Sequence, residues 1–257
     1  MEALTTGPRD QRRCSVLDVP VDACRDVTAS AIGLHADGGG QIVTLNAEMT
    51  MTARRNPDLG AVISAAALVV PDGAGVVWAL SRQGIRVQRS PGIELAWSLL
   101  SYAAAHGWRV ALVGASPQVM ETLCDRLSLQ FPTLQLDFAE HGYQDASAWP
   151  ELETRLRRLS PDLVLVALGV PLQEIWIQRM RDQLPGLWMG VGGSFDVRAC
   201  IQSICRKQLC GVRCALQQLC GPCMDISCKD VAQRRRAGTF QLDVPFQCHR
   251  PGAAITY

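Results

Sequence analysis

The chain has 257 residues, 48% of them hydrophobic, which is enough to bury a sizeable core and too many for a chain disordered throughout. Its formal charge of +1 hides an asymmetry: residues 1–197 carry 16 Arg and Lys against 21 Asp and Glu, while residues 198–257 carry 9 against 3. A basic tail on an acidic body points to an anionic surface, phospholipid headgroups or a lipid pyrophosphate, and away from nucleic acid, because the tail has few aromatics to stack on bases.

The first residues, MEALTTGPRDQRR, carry charges with no apolar run behind them, so no signal peptide is expected and the protein is assigned to the cytoplasm. Residues 1–40 are polar, end in Asp37-Gly38-Gly39-Gly40 and read as an N-terminal extension closed by a flexible turn. From Gln41 onward the pattern predicts strand 42–45, helix 46–56, helix 59–67 and strand 68–70, stopped by Pro71-Asp72-Gly73. That stop also interrupts the longest apolar stretch, residues 61–80, which rules it out as a membrane span and leaves peripheral contact at the inner membrane face.

Residues 92–106 place Ile93, Leu95, Ala96, Leu99 and Leu100 on one helical stripe ended by Gly107. A buried strand follows at 109–114, a helix at 117–130 opened by Pro117, and a strand at 134–138. Helix 151–159, strand 163–168, helix 171–184 and strand 187–191 complete the series. Strands apolar on both faces, alternating with helices, imply an α/β fold: a Rossmann-like, mostly parallel sheet flanked by helices, in one domain over 41–197. Ligands of such sheets bind beyond the carboxyl ends of the strands.

The polar residues that stand out fall at those ends. Asp72, between proline and glycine after an apolar strand, would project a partly desolvated carboxylate of raised basicity into a cleft; a turn aspartate is the plain alternative. Thr44 and Asn46, two apart, offer a hydroxyl and an amide to a sugar or phosphate, with helix capping competing for Asn46. Arg89 precedes a helix and has the fork that suits a pyrophosphate, or else is a solvated surface arginine. Gln173-Glu174 opens a helix whose N–H groups suit an anion; the Gln173 amide could bridge to a substrate, and Glu174 could simply stabilise the helix end. The Gly192-Gly193 pair permits close backbone approach, with Asp196 available to a ribose or sugar hydroxyl, or the segment is only a tight turn.

Neither Gly-Ala-Ser at 114–116 nor Gly-Val-Gly-Gly at 190–193 has the spacing of a phosphate-loop or dinucleotide fingerprint, which removes the best support for kinase and dehydrogenase readings. The histidines stand apart at 35, 106, 141 and 249, a pattern that does not suggest a metal site or triad in the body.

Taken together, Thr44-Leu45-Asn46, Val70-Pro71-Asp72-Gly73, Gln88-Arg89-Ser90-Pro91-Gly92, Val113-Gly114, His141-Gly142-Tyr143, Gly169-Val170-Pro171-Leu172-Gln173-Glu174 and Gly190-Val191-Gly192-Gly193-Ser194-Phe195-Asp196 resemble the WecG/TagA/CpsF glycosyltransferase family in order and spacing over about 41–197. The resemblance implies an inverting, metal-independent transfer, without cofactor, of a hexosaminyl residue from a UDP-sugar, typically UDP-N-acetylmannosamine, to a polyprenyl-pyrophosphate-linked sugar. Products of such enzymes enter teichoic acid, enterobacterial common antigen or exopolysaccharide. By the family pattern Asp72 is the base, with Thr44, Asn46, Arg89 and Gln173 around it. Gly114, Tyr143, Gly169, Gly192, Gly193 and Asp196 are then assigned to substrate binding. A homo-oligomer is compatible with this reading.

The tail departs from the family. After Asp196 the family continues with a basic-proline segment and a Leu-Glu-Trp-Leu-type helix rich in arginine. This chain instead reads Val197-Arg198-Ala199-Cys200, has 8 of its 11 cysteines between Cys200 and Cys248, and has no tryptophan after Trp188. A zinc module built on Cys220, Cys223 and Cys228 with Cys214 or His249 lacks clean ligand spacing, and a disulfide cluster conflicts with a reducing compartment. The preferred expectation is that 198–257 is not a native family C-terminus but the translation of another frame. The alternative function is then a catalytically impaired nucleotide-sugar-binding protein.

Overall fold

The computed structural model describes residues 11–199. The expectations for the cysteine-rich tail therefore fall outside the described residues, except at Arg198 and Ala199.

The chain opens with a hairpin, β1 (Gln11–Val16) and β2 (Val19–Cys24), paired antiparallel. Its two-residue turn, Leu17-Asp18, has both φ angles positive, 51° and 65°, the twist that joins two right-twisted strands most directly. Val16, Val19 and Val21 are buried against the main domain. Helix α1 (Val27–Ala36) follows, started by Asp26, whose side chain accepts from Ala29 N–H at 2.9 Å. The stretch expected to be a polar extension thus holds three elements from residue 11 onward. The composition hid them because only alternate hairpin residues face inward and its turn lacks the usual Asn-Gly.

The remaining elements in chain order are β3 (Gly39–Leu45), α2 (Ala47–Ala53), α3 (Pro57–Ala65), β4 (Leu68–Pro71), α4 (Ala74–Arg82), α5 (Gly92–His106), β5 (Arg109–Gly114), α6 (Pro117–Gln130), β6 (Gln135–Glu140), α7 (Trp149–Leu159), β7 (Leu163–Ala167), α8 (Leu172–Arg181) and β8 (Gly186–Gly190). Residues 194–199 are helical. Every strand and helix read from the sequence after residue 41 is present. Gly39 and Gly40, read as a turn, already belong to β3, and α4 was not foreseen.

The six strands β3 to β8 form one sheet in the order β4-β3-β8-β7-β5-β6, with every neighbouring pair parallel. Alternate residues of each strand feed opposite cores, as the two-residue strand period requires. Ile42, Leu112 and Leu165 pack with α1, α5, α6 and Phe195. On the other face Val43 and Leu45 pack with α2, α3 and α4, while Ala111 and Val164 pack with α7 and α8. With both faces covered, polar groups have access to solvent only at the strand ends and edges.

The hairpin guards the β4 edge. Asp22, fully buried, accepts from Val69 N–H at 2.8 Å and from Arg13 at 2.9 and 2.8 Å through both carboxylate oxygens. Arg13 also donates to Ser64 O and Ala66 O, so one ion pair ties the hairpin, the end of α3 and the edge strand together. An edge N–H left open is a template for strand addition, and here a carboxylate occupies it.

Candidate active site

The polar cluster is assembled where β3 and β4 end side by side. Thr44 pairs with Val70 and Leu45 with Pro71 in parallel register, and the ladder continues through Asp72 N–H to Leu45 O at 3.0 Å. This bond carries Asp72 just past the sheet. Asn46 leaves β3 as the N-cap of α2, its Oδ1 accepting from Met49 N–H at 2.8 Å, so the capping reading holds for its oxygen. Gly73 lies against it: a Cβ there would stand 3.2 Å from Asn46 Cβ.

Segment 88–91 crosses the end of β4, fixed by Ser90 N–H to Pro71 O at 3.0 Å. It delivers the start of α5 to the same spot. Gly92 is buried against Thr44, and a Cβ at this position would stand 3.0 Å from Thr44 Oγ1. The Gly92 N–H and the Arg89 guanidinium both lie near enough to the Asp72 carboxylate to attract it. Both favour the ionised form, yet burial pushes the Asp72 carboxyl up from its ordinary value of 3.8, and Glu94 adds to the rise by repulsion. Thr44, Asn46, Asp72 and Arg89 therefore meet at one site, with a carboxylate more basic than one in water.

The other part of the site stands at the ends of β7 and β8. Since β3 separates β4 from β8, the β8 end lies about 10 Å from the end of β4 and the β7 end about 14 Å, two and three strand spacings along the sheet. Gln173 occupies the first turn of α8 and is 2% exposed. Its Oε1 accepts from Gly169 N–H and Gly192 N–H, each at 3.2 Å, and its Nε2 donates to Glu174 Oε1 at 2.9 Å. The amide expected to bridge to a substrate is thus turned inward and joins the loops after β7 and β8. Glu174, read as a residue that could simply stabilise the helix end, is fully buried and accepts from Gln41 Nε2 at 2.8 Å.

Gly114, expected to bind substrate, ends β5 beside Ala167 of β7. Its φ is 113°, and a Cβ would collide with the backbone of Ala167, so the glycine is required by the approach of β5 to β7. Where Gly169, Gly192 and Gly193 would carry a Cβ there is open space. Tyr143 is 73% exposed on the loop after β6, at the far edge of the sheet, and is not brought to Asp72. Asp196 is half-buried on the helical segment after β8. From the same segment Arg198 stacks over Trp97 of α5, 4.2 Å from the ring centroid, where burial lowers its pKa and Glu94 opposes the shift.

Sequence reasoning did not assign roles to Gly92, Glu94 and Gln41. Gln41 had a visible signal, an amide directly before the run Ile42 to Leu45. The other two act through the docking of α5, a long-range contact with no local signature. Concavities of about 310 Å³ between the hairpin turn and α2–α3, and about 150 Å³ beside α7, lie away from this cluster.

A parallel α/β sheet with a carboxylate, a hydroxyl, an amide and an arginine gathered at its strand ends defines the class: an open α/β fold, in which ligands lie beyond the strand termini. The chain belongs to the Glycosyl transferase WecG/TagA/CpsF family, which it matches over residues 14–203. It is also 36% identical over 166 residues to the N-acetylglucosaminyldiphosphoundecaprenol N-acetyl-beta-D-mannosaminyltransferase of Bacillus spizizenii. That alignment covers 64% of this chain and 64% of the relative's length.

Proposed function

We propose that the protein transfers a hexosaminyl residue, N-acetylmannosamine or a relative, from a UDP-sugar to a polyprenyl-pyrophosphate-linked saccharide in the synthesis of a cell-surface polysaccharide. The observation that carries this reading is the seat of Asp72. Its carboxylate lies between the Gly92 N–H and Arg89, beside Thr44 and Asn46, with its basicity raised by burial. The family match and the name of the relative support the substrate classes.

In the proposed reaction an acceptor hydroxyl gives its proton to Asp72 as its oxygen attacks the anomeric carbon. The bond from that carbon to the diphosphate oxygen breaks, and UDP leaves with the electron pair. One displacement inverts the anomeric configuration. Arg89 offsets the charge that develops on the diphosphate, a role for which a guanidinium fork is well shaped. Thr44 and the Asn46 amide nitrogen orient sugar or phosphate oxygens, while Gln173 holds the Gly169 and Gly192 loops that form the opposite wall. The acceptor resides in a membrane, so the protein works at its inner face. Among the described residues no helix is long and apolar enough to cross one.

A screen of UDP-sugars against a soluble polyprenyl-pyrophosphate-GlcNAc analogue tests the reading. The expected result is release of UDP with one donor only when acceptor is present. UDP binding without consumption of any donor would instead identify a nucleotide-sugar-binding protein, the outcome that the divergent tail makes worth testing.

A further inference from the structure

We propose that Glu174 is a positioning residue of this site, acting on the cleft through Gln173. Two buried amides and one buried carboxyl form a chain across the sheet end: Gln41 on β3, then Glu174, then Gln173 on α8. The chain ends on the N–H groups of Gly169 and Gly192, the backbone that follows β7 and β8. No side chain in it reaches solvent, with Gln41 and Glu174 both 0% exposed and Gln173 2%. Gly190 of β8 makes the room, since a Cβ there would collide with Glu174 Oε1 and Gln173 Nε2.

Hydrogen-bond directions fix the roles. Gln173 Oε1 accepts twice from backbone, so its amide cannot turn over, Nε2 must face Glu174, and Glu174 Oε1 must accept. The second carboxyl oxygen faces Gln41. Removing the carboxyl leaves Gln173 Nε2 buried without its acceptor, so the side chain that anchors the two glycine loops is held from one side only.

Among the described residues no cation pairs with this carboxyl. The elements packed on α8 are α3, α7, β3, β7 and β8. From β3 and β8 it meets Gln41 and the backbone of Gly190, Arg181 lies by Gly40, and Asp58 of α3 is exposed. Glu153 and Arg157 of α7 pair with each other, with Glu153 also taken by Trp176 and Arg179, and Arg181 pairs with Asp182. Burial then pushes Glu174 above the ordinary 4.5 against the pull of its two amide donors. Gln41 Nε2 donates both to Glu174 Oε2 at 2.8 Å and to the Glu174 backbone carbonyl at 3.2 Å, which fixes that amide with its nitrogen toward the carboxyl.

The test compares Glu174→Gln and Glu174→Ala with the wild-type chain. Amide hydrogen exchange over 168–170 and 190–194 is expected to quicken at least about tenfold in Glu174→Ala and to stay at the wild-type rate in Glu174→Gln. Turnover with the UDP-sugar is expected to fall roughly tenfold to a hundredfold in the alanine variant and to be largely restored in the glutamine variant. Only the turnover arm rests on the glycosyltransferase reading; the exchange arm holds whatever the reaction. Unchanged exchange in a folded Glu174→Ala protein overturns the proposal. If that variant does not fold, Glu174→Gln decides. A protonated Glu174 keeps in the folded state a proton that the unfolded chain loses near pH 4.5, so wild-type stability falls as pH rises above that value. The Tm of Glu174→Gln should therefore gain on the wild type with rising pH, and loosened loops with a Tm difference flat in pH contradict the proposal.

Discussion

At the scale of single residues, the basicity of Asp72 is the outcome of a contest among four neighbouring influences. Burial and Glu94 raise its pKa; the Gly92 N–H and Arg89 lower it. Activity that needs the ionised base falls as pH drops through this raised value, so the acidic limb of kcat/KM should lie above the usual aspartate range. Arg89→Ala removes a cation and should move that limb to higher pH, whereas Glu94→Gln removes an anion and should move it to lower pH. A pH profile in which both variants shift the same way contradicts the assignment. Asp72 was marked in the sequence only as a carboxylate between proline and glycine after an apolar strand, where a turn aspartate is the plain alternative, and its burial beside Arg89 and Glu94 comes from the docking of a distant helix. The inward turn of Gln173 was not legible, since the direction of a side chain in a first helical turn depends on which backbone N–H groups the neighbouring loops present.

At the scale of elements, α5 and α6 were readable to their last residue because an apolar stripe, a left-handed Gly107 and a Ser116-Pro117 start mark their ends. The hairpin was not readable, since its turn is Leu17-Asp18 and its register is held by Asp22, a contact 47 residues from Val69 in sequence. Asp22→Ala should leave the Val69 N–H buried and unpaired and release Arg13, a loss of about 1–3 kcal/mol for the N–H. Thermal unfolding would record it as a lower Tm, and an unchanged Tm would show that the hairpin does not support the sheet edge. Helix α4 escaped notice because Ala74-Gly75-Val76-Val77 extends an apolar run and looks like more strand. Gly190→Ala is a stricter test of strand–helix fit: the added methyl meets the Gln173–Glu174 pair, and both Tm and exchange protection at 190–194 should fall.

Across the whole molecule, the order β4-β3-β8-β7 sets Asp72 and the Gln173-bound loops on either side of β3 and leaves an open lip between them. Alternation of strands and helices made the parallel sheet legible, but not this order, which depends on crossovers that leave no trace in periodicity. The excess of positive charge after residue 197 belongs to this scale too. Co-sedimentation of the full chain with phosphatidylglycerol vesicles should weaken as salt rises, and a chain ending at Val197 should bind less; equal binding by both would remove the tail from the membrane contact. The most direct test of the central claim is a comparison of Asp72→Asn with the wild-type chain for sugar transfer and for UDP affinity. Transfer should be abolished while UDP binds almost as before; an Asp72→Asn protein that still transfers sugar at a comparable rate would contradict the assignment of Asp72 as the base.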